Sequence, residues 1–278
     1  VFLGTFGIIL QDLYAVLICF VDPMINSFAP LEIRHIAGSN NRSPIVYLHE
    51  GLGSVAMWNS RSLDWPLAVC QATGRAALVY SRRGYGNSEP IVDVRGVHRL
   101  SPDYMHREAW EVLPHLLKTH SIDKPVLLGH SDGGTIALLH AAKFSVTATI
   151  AMAPHLWVED ISLRSIQAAK VAFEQGELRR KLSKFHADVD GAFWQWNDVW
   201  LSEAFRSFDI RSECQQIASP VLAMQGVEDI YGSLRHIEEL HTQGTVRREV
   251  LQACGHSPHK DQPMLSLQLV TDFLKDLP

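Results

Sequence analysis

Residues 125–134 read Pro-Val-Leu-Leu-Gly-His-Ser-Asp-Gly-Gly, a short apolar run that breaks into a glycine-flanked serine. Pro125 to Leu128 has the length and composition of a buried parallel strand, and Thr135 to Lys143 carries apolar residues at helical spacing. The serine at 131 therefore sits on a strand-to-helix turn. Gly129-His130-Ser131-Asp132-Gly133 matches G-x-S-x-G, whose small flanks let a strained backbone lift a seryl oxygen into reach at a helix N-terminus. The same pattern also occurs in ordinary glycine-rich turns, so its surroundings decide what it means.

Upstream, Leu31 to Ile36 alternates apolar and polar residues as an edge strand does, and Pro44 to His49 is a continuous apolar strand running into Glu50-Gly51-Leu52-Gly53-Ser54. A helix over 60–71 precedes the strand Ala76 to Tyr80, which opens into the loop Ser81-Arg82-Arg83-Gly84-Tyr85-Gly86-Asn87-Ser88. Arg82 and Arg83 either brace this loop or meet an anionic substrate. A helix over 104–117, with Asp103 before it, leads to the Ser131 strand, and Thr147 to Ala153 is the next strand. Strands alternating with helices predict a mostly parallel sheet flanked by helices, an α/β protein.

Between Pro154 and Ser219 the pattern turns helical, with segments at 162–174 and 177–185 and an aromatic group of Phe193, Trp194, Trp196 and Trp200. This insertion reads as a lid whose aromatics fill its own core, contact substrate, or do both, with Trp194 and Trp196 as the expected substrate contacts. Alternation resumes with Pro220 to Met224, a helix over 233–241, a strand over 247–251 and a final helix over 262–274. The expected organisation is a core of residues 31–153 and 220–278, a lid of 154–219, and an apolar extension of 1–30.

A chain of 278 residues, 46% hydrophobic, can bury a full core, and a formal charge of -5 with no basic run gives nucleic acid no footprint. A small-molecule substrate is expected; oligomeric state is open. Cys19, Cys70, Cys214 and Cys254 are scattered, which fits reduced thiols in a cytoplasm. The first 21 residues are apolar, but Gln11 and Asp12 interrupt them, and Pro30 after Ser27-Phe28-Ala29 suits no signal cleavage. They read as an extra packed segment or as an extension outside the domain, with a membrane anchor at 1–21 as the further alternative.

A seryl hydroxyl needs a base, and the base needs a group to orient it. The loop after the 220–224 strand supplies Glu228 and Asp229, and the loop after the following strand supplies His256 and His259. With these residues in place, the chain from about Leu31 onward resembles an α/β-hydrolase fold serine hydrolase. His49 to Ser54 is similar to that family's His-Gly oxyanion loop, Arg82 to Ser88 to its arginine-glycine loop, and the Ser131 turn and Gly255-His256 complete the set. The resemblance implies the α/β-hydrolase fold with a helical lid after the sixth strand and no cofactor; a metal reading of His256, His259 and Asp261 lacks a cluster of further ligands and leaves the serine turn unexplained. The resemblance also implies Ser131 as nucleophile, Asp229 as orienting acid in preference to Glu228, and His256 as base in preference to His259, which reads as a surface or helix-start residue.

The oxyanion donors would be the backbone N–H of Asp132 and of Leu52, or of Gly51 if the loop is aligned on His49, because Glu50 lengthens it. Gly51 and His130 join the two tryptophans as expected substrate contacts. Asp132 has two readings: a favourable charge at a helix N-terminus, or a carboxylate at the acyl pocket selecting amine-bearing esters, since Ser-Asp-Gly-Gly resembles the turn of biphenyl-hydrolase-like amino-acid ester hydrolases. The expected reaction is hydrolysis of a small ester through an acyl-enzyme. The same triad serves carbon–carbon bond hydrolases and enol-lactonases of aromatic degradation, and a non-catalytic binding protein on this scaffold is the remaining alternative.

Overall fold

The computed structural model describes residues 30–39, 41–60 and 63–278, so the apolar stretch 1–29 and the expectations placed on it lie outside the described residues. Among the described residues, seven strands form one sheet: β1 (Ile33–Ile36), β2 (Ile45–Leu48), β3 (Ala77–Tyr80), β4 (Val126–His130), β5 (Ala148–Met152), β6 (Val221–Gly226) and β7 (Val246–Leu251). Their order is β1-β3-β2-β4-β5-β6-β7, with β1 antiparallel to β3 and every other pairing parallel. β4, the strand that delivers Ser131, lies at the centre between β2 and β5.

The helices are α1 (Trp65–Thr73), α2 (Tyr104–Arg107), α3 (Leu113–Thr119), α4 (Asp132–Lys143), α5 (Asp160–Glu174), α6 (Glu177–Leu182), α7 (Val189–Trp200), α8 (Arg211–Cys214), α9 (Arg235–Glu238), α10 (Pro258–Asp261) and α11 (Pro263–Leu274). A π-helical turn, Glu108–Val112, joins α2 to α3. Strand side chains alternate between two cores. Val46, Leu48, Leu78 and Leu127 face α3, α4 and the inserted helices, while Ile45, Tyr47, Val79 and Leu128 face α1 and α11. That two-sided burial is why these strands read as unbroken apolar runs.

Local chemistry sets the ends. Asp64 accepts from the N–H of Leu67 and Pro66 fills the first turn of α1, so the helix begins at Trp65, later than the apolar spacing from 60 suggested. Gly74, at φ 70°, closes it. The helix expected over 233–241 is a single turn, because the Arg248 guanidinium donates to the carbonyls of Ile237 and Leu240 and ends it there. The insertion leaves the sheet after β5, the fifth strand and not the sixth among the described residues, since β1 alone caps the sheet beyond β3. Its two ends are pinned together where Ile210 N–H donates to Leu156 O at 2.8 Å beside a bridge between Trp157 and Asp209.

The β4–α4 turn is packed backbone against backbone. A Cβ built on Gly133 would lie 1.9 Å from Leu48 O and 2.7 Å from His49 O. We expect Gly133→Ala to cost about 1–3 kcal/mol as overpacking, read as a lower urea midpoint. An unchanged midpoint would mean that β2 and α4 separate freely.

Candidate active site

Ser131 sits between β4 and α4 with φ 54° and ψ -120°, a sparsely populated conformation that costs about 1–3 kcal/mol and persists because its neighbours dictate it. Its N–H donates to Met152 O at 2.8 Å, which carries the β4–β5 ladder one residue past the strand. Its Oγ lies 2.9 Å from His256 Nε2, and His256 Nδ1 lies 2.8 Å from Asp229 Oδ2. Asp229 is fully engaged: Gln225 Nε2 donates to Oδ2 at 2.6 Å, and the N–H groups of Tyr231 and Gly232 donate to Oδ1 at 2.7 and 3.3 Å. Those bonds aim one carboxylate edge at the imidazole. With Nδ1–H donated to Asp229, Nε2 keeps its lone pair for the seryl proton.

Each alternative candidate lies elsewhere. Glu228 is exposed. His259 does begin a helix, α10, but it is no surface residue: it is 1% exposed, packed between Trp58, Trp65 and His130. Asp261 accepts from the N–H groups of Gly255 and Ser257 at 3.0 and 3.4 Å and so holds the loop that carries His256.

The oxyanion loop is braced from beneath. His49 Nδ1 donates to Glu50 O at 2.7 Å, while its Nε2 accepts from Arg82 N–H at 3.0 Å, and Arg82 Nη2 donates to Glu50 O at 2.9 Å. This pattern needs a neutral His49, and burial, reinforced by the charge of Arg82, pushes that ring's pKa well below its ordinary value. Asp132 is the first residue of α4, so its N–H has no helical acceptor. The N–H groups of Gly51 and Leu52 meet no acceptor among the described residues, and both remain open as the second donor. His186, which sequence pattern did not mark, ties this loop down by donating to Leu52 O at 3.0 Å while accepting from Gly86 N–H at 3.0 Å.

The four expected substrate contacts separate on inspection. Trp196 lies over the oxyanion loop, its Nε1 2.2 Å from where a Gly51 Cβ would be, so Gly51 is a glycine because an indole occupies that space. Trp194 faces the other way, against Phe173 and Phe193, with the Arg95 guanidinium 3.9 Å from its ring. It packs the insertion and does not reach the triad. His130 is 1% exposed and both its ring nitrogens are engaged: Nδ1 lies 2.8 Å from Glu50 Oε2, and Nε2 donates to His256 O at 2.7 Å. Its place is behind the loop that carries His256, holding that residue from the backbone side.

Asp132 does not present a charge to a substrate. Its carboxyl is sealed at 0% exposure, accepts from Tyr104 Oη at 2.6 Å and lies 3.8 Å from Arg82 Nη2. Burial pushes its pKa up, with Arg82 and Tyr104 pulling the other way. Glu50, His130 and His259 each offer one atom within 4.8 Å of the others, a spacing that a metal ion would accept. Lys260 Nζ already stands 3.2 Å from Glu50 Oε1. Burial raises the Glu50 pKa, but Lys260 and His130 outweigh it and hold the carboxyl well below its usual range. The ammonium thus supplies the positive charge there.

Comparison with known proteins agrees with this architecture. Residues 45–265 match the alpha/beta hydrolase family. The sn-1-specific diacylglycerol lipase ABHD11 of Mus musculus is 24% identical over 277 residues, spanning 88% of this chain and 85% of the relative. Among solved structures, the enol-lactonase from Burkholderia xenovorans LB400 superposes with a TM-score of 0.67 at 20% identity, over 90% of this chain and 98% of that one. The esterase from Exiguobacterium antarcticum gives 0.66 at 18% identity, over 89% and 96%. At these identities the structural likeness is one of fold.

The buried histidines make stability pH-dependent. Burial, the largest cause in each, lowers the pKa of His49, His155 and His259 well below the ordinary value. A depressed folded pKa gives stability that is complete above the unfolded pKa, about 6.5, and is lost as pH falls, by about 1.4 kcal/mol per pH unit for each such ring. We expect the urea midpoint to hold between pH 7.5 and about 6.5 and to drop progressively from there to pH 5.5; a flat or rising midpoint below about 6.5 would contradict the neutral assignment.

Proposed function

The chain belongs to the alpha/beta hydrolase family, and on that premise we propose that it is a serine hydrolase cleaving a small-molecule ester through an acyl-enzyme on Ser131. The observation that carries this reading is the unbroken line from Ser131 Oγ through His256 to Asp229, at 2.9 and 2.8 Å. In the reaction, His256 Nε2 takes the seryl proton as Oγ attacks the ester carbonyl, and Asp229 stabilises the imidazolium that forms. The tetrahedral oxyanion is received by the N–H of Asp132 and that of Leu52 or Gly51, donors fixed before the charge develops. His256 then protonates the departing alcohol, and a water activated by the same histidine releases the acid.

The helices of 154–219 act as a lid, with Trp196 roofing the oxyanion loop and Trp194 supporting the lid from its own core. Similarity to a lipase favours an ester over the ketone of a carbon–carbon bond hydrolase. A mechanism of this kind, with the oxyanion received by backbone N–H donors, needs only groups that the chain itself supplies.

A fluorophosphonate probe should label the folded protein at Ser131 and fail on Ser131→Ala. Failure to label the wild type would return the chain to the class of binding proteins. Against a panel of p-nitrophenyl esters, a dienone and an enol-lactone, turnover should favour esters. Ser131→Ala and His256→Ala should each lower kcat by about 10⁴–10⁶-fold, with the double variant little worse because the residues act as a unit. Asp229→Asn should cost about 10³–10⁴-fold and Glu228→Gln almost nothing; the reverse order would reassign the acid.

Because Asp132 is sealed against Tyr104 and Arg82, Asp132→Asn should leave the kcat/KM ratio between an amine-bearing ester and its amine-free counterpart unchanged. A large fall in that ratio would restore the carboxylate to the acyl pocket.

A further inference from the structure

A second imidazole faces the nucleophile. At the end of β5 the backbone turns sharply through Ala153, at φ 47°, and Pro154, and delivers His155 to the underside of the Ser131 turn. Thr135, in the first turn of α4, clamps it: the Thr135 hydroxyl accepts from His155 N–H and donates to His155 O, both at 2.9 Å. Trp200 packs against the ring at 5.0 Å, His236 at 5.4 Å and His256 at 5.7 Å. The ring is 3% exposed, and its Nε2 lies 3.5 Å from Ser131 Oγ.

Proton counting fixes its state. Ser131 Oγ has one proton, and it points to His256 Nε2, whose own Nδ1–H is held by Asp229. Oγ therefore has only lone pairs to offer His155, so His155 Nε2 must carry hydrogen. Burial and the neighbouring histidines keep the ring neutral, which leaves Nδ1 bare; it is buried and has no hydrogen-bond partner. Ser131 Oγ is thus approached by a base on one side and a fixed N–H donor on the other.

We propose that His155 is a further catalytic residue, donating its Nε2–H to Ser131 Oγ and speeding the departure of that oxygen from the acyl-enzyme. The inference rests on the acyl-enzyme reading above. In deacylation, the C–Oγ bond breaks, its electron pair passes to Oγ, and His256 returns the proton taken from water; His155 donates a hydrogen bond throughout and keeps its own proton. An ester oxygen is a poor acceptor, so this bond strengthens greatly as Oγ gains charge. The resting hydroxyl already accepts it, so acylation gains less. At 3.5 Å the contact is long at rest, as catalytic hydrogen bonds often are before they tighten in the transition state.

The experiment compares wild type, His155→Phe and His155→Gln on p-nitrophenyl acetate, with active sites titrated by a fluorophosphonate and the acyl-enzyme counted by intact mass spectrometry. The phenylalanine variant keeps the ring against Trp200 and removes the donor; the glutamine variant keeps a donor. We expect His155→Phe to lose about 10–100-fold in kcat, the range for losing a hydrogen bond to a charged group, while kcat/KM holds within about threefold. KM should fall with kcat, acyl-enzyme should accumulate, and His155→Gln should recover much of kcat.

Equal losses in kcat and kcat/KM without accumulation, or no loss, would overturn the role of His155 while leaving the nucleophile in place. Absence of fluorophosphonate labelling in the wild type would overturn the acyl-enzyme and this inference together. If His155→Phe does not fold, His155→Met carries the same expectation.

Discussion

A serine held at φ 54° between a central strand and a helix is the constraint on which the rest of the molecule depends. Such a backbone relaxes unless its surroundings leave it no room. Here Gly129 and Gly133 approach so closely that a side-chain carbon on Gly129 would lie 2.0 Å from Gly133 O, and Gly133 in turn abuts the end of β2. The turn that lifts Ser131 is therefore the same contact that sets the oxyanion loop beside it. The position of Ser131 and the positions of the Asp132, Gly51 and Leu52 N–H groups are one packing problem with one solution.

Around that turn the buried charges and rings are handled in pairs. Asp132 meets Tyr104 and Arg82; Arg82 also holds Glu50 O and the neutral His49; Glu50 meets His130 and Lys260, and His130 holds the His256 backbone. An unpaired charge at this depth would cost several kcal/mol. The pairs also link the three loops that build the site, so a loss at one is felt at the others. His186 extends the same logic to the insertion, fastening its chain to the oxyanion loop and to the loop after β3.

Residues with several plausible partners are where pattern alone misled. His130 is read from the sequence as a substrate contact, and Trp194 as a substrate contact or as filling of the insertion's own core. Adjacent residues on a strand point to opposite faces, and on a helix residues two apart lie on different sides. His130 therefore turns behind the catalytic loop while Ser131 faces the site, and Trp194 looks into the insertion while Trp196 covers Gly51. Asp132 follows the nucleophile directly, yet its side chain is drawn into the core by Tyr104.

The sequence by itself determined the strand-helix alternation, the central serine turn, and the two downstream loops carrying Asp229 and His256, because period, glycine placement and chain order are local properties that survive without coordinates. Tertiary structure alone decided which of the fourteen histidines approach Ser131. His155 follows an unremarkable strand and matches no pattern; it reaches the seryl oxygen only because β5 pairs beside β4 and a strained Ala153 turns the chain beneath α4. Contacts between strands brought together by pairing, and the choice of partner for each buried charge, are set by the packed interior, and no spacing along the chain encodes them.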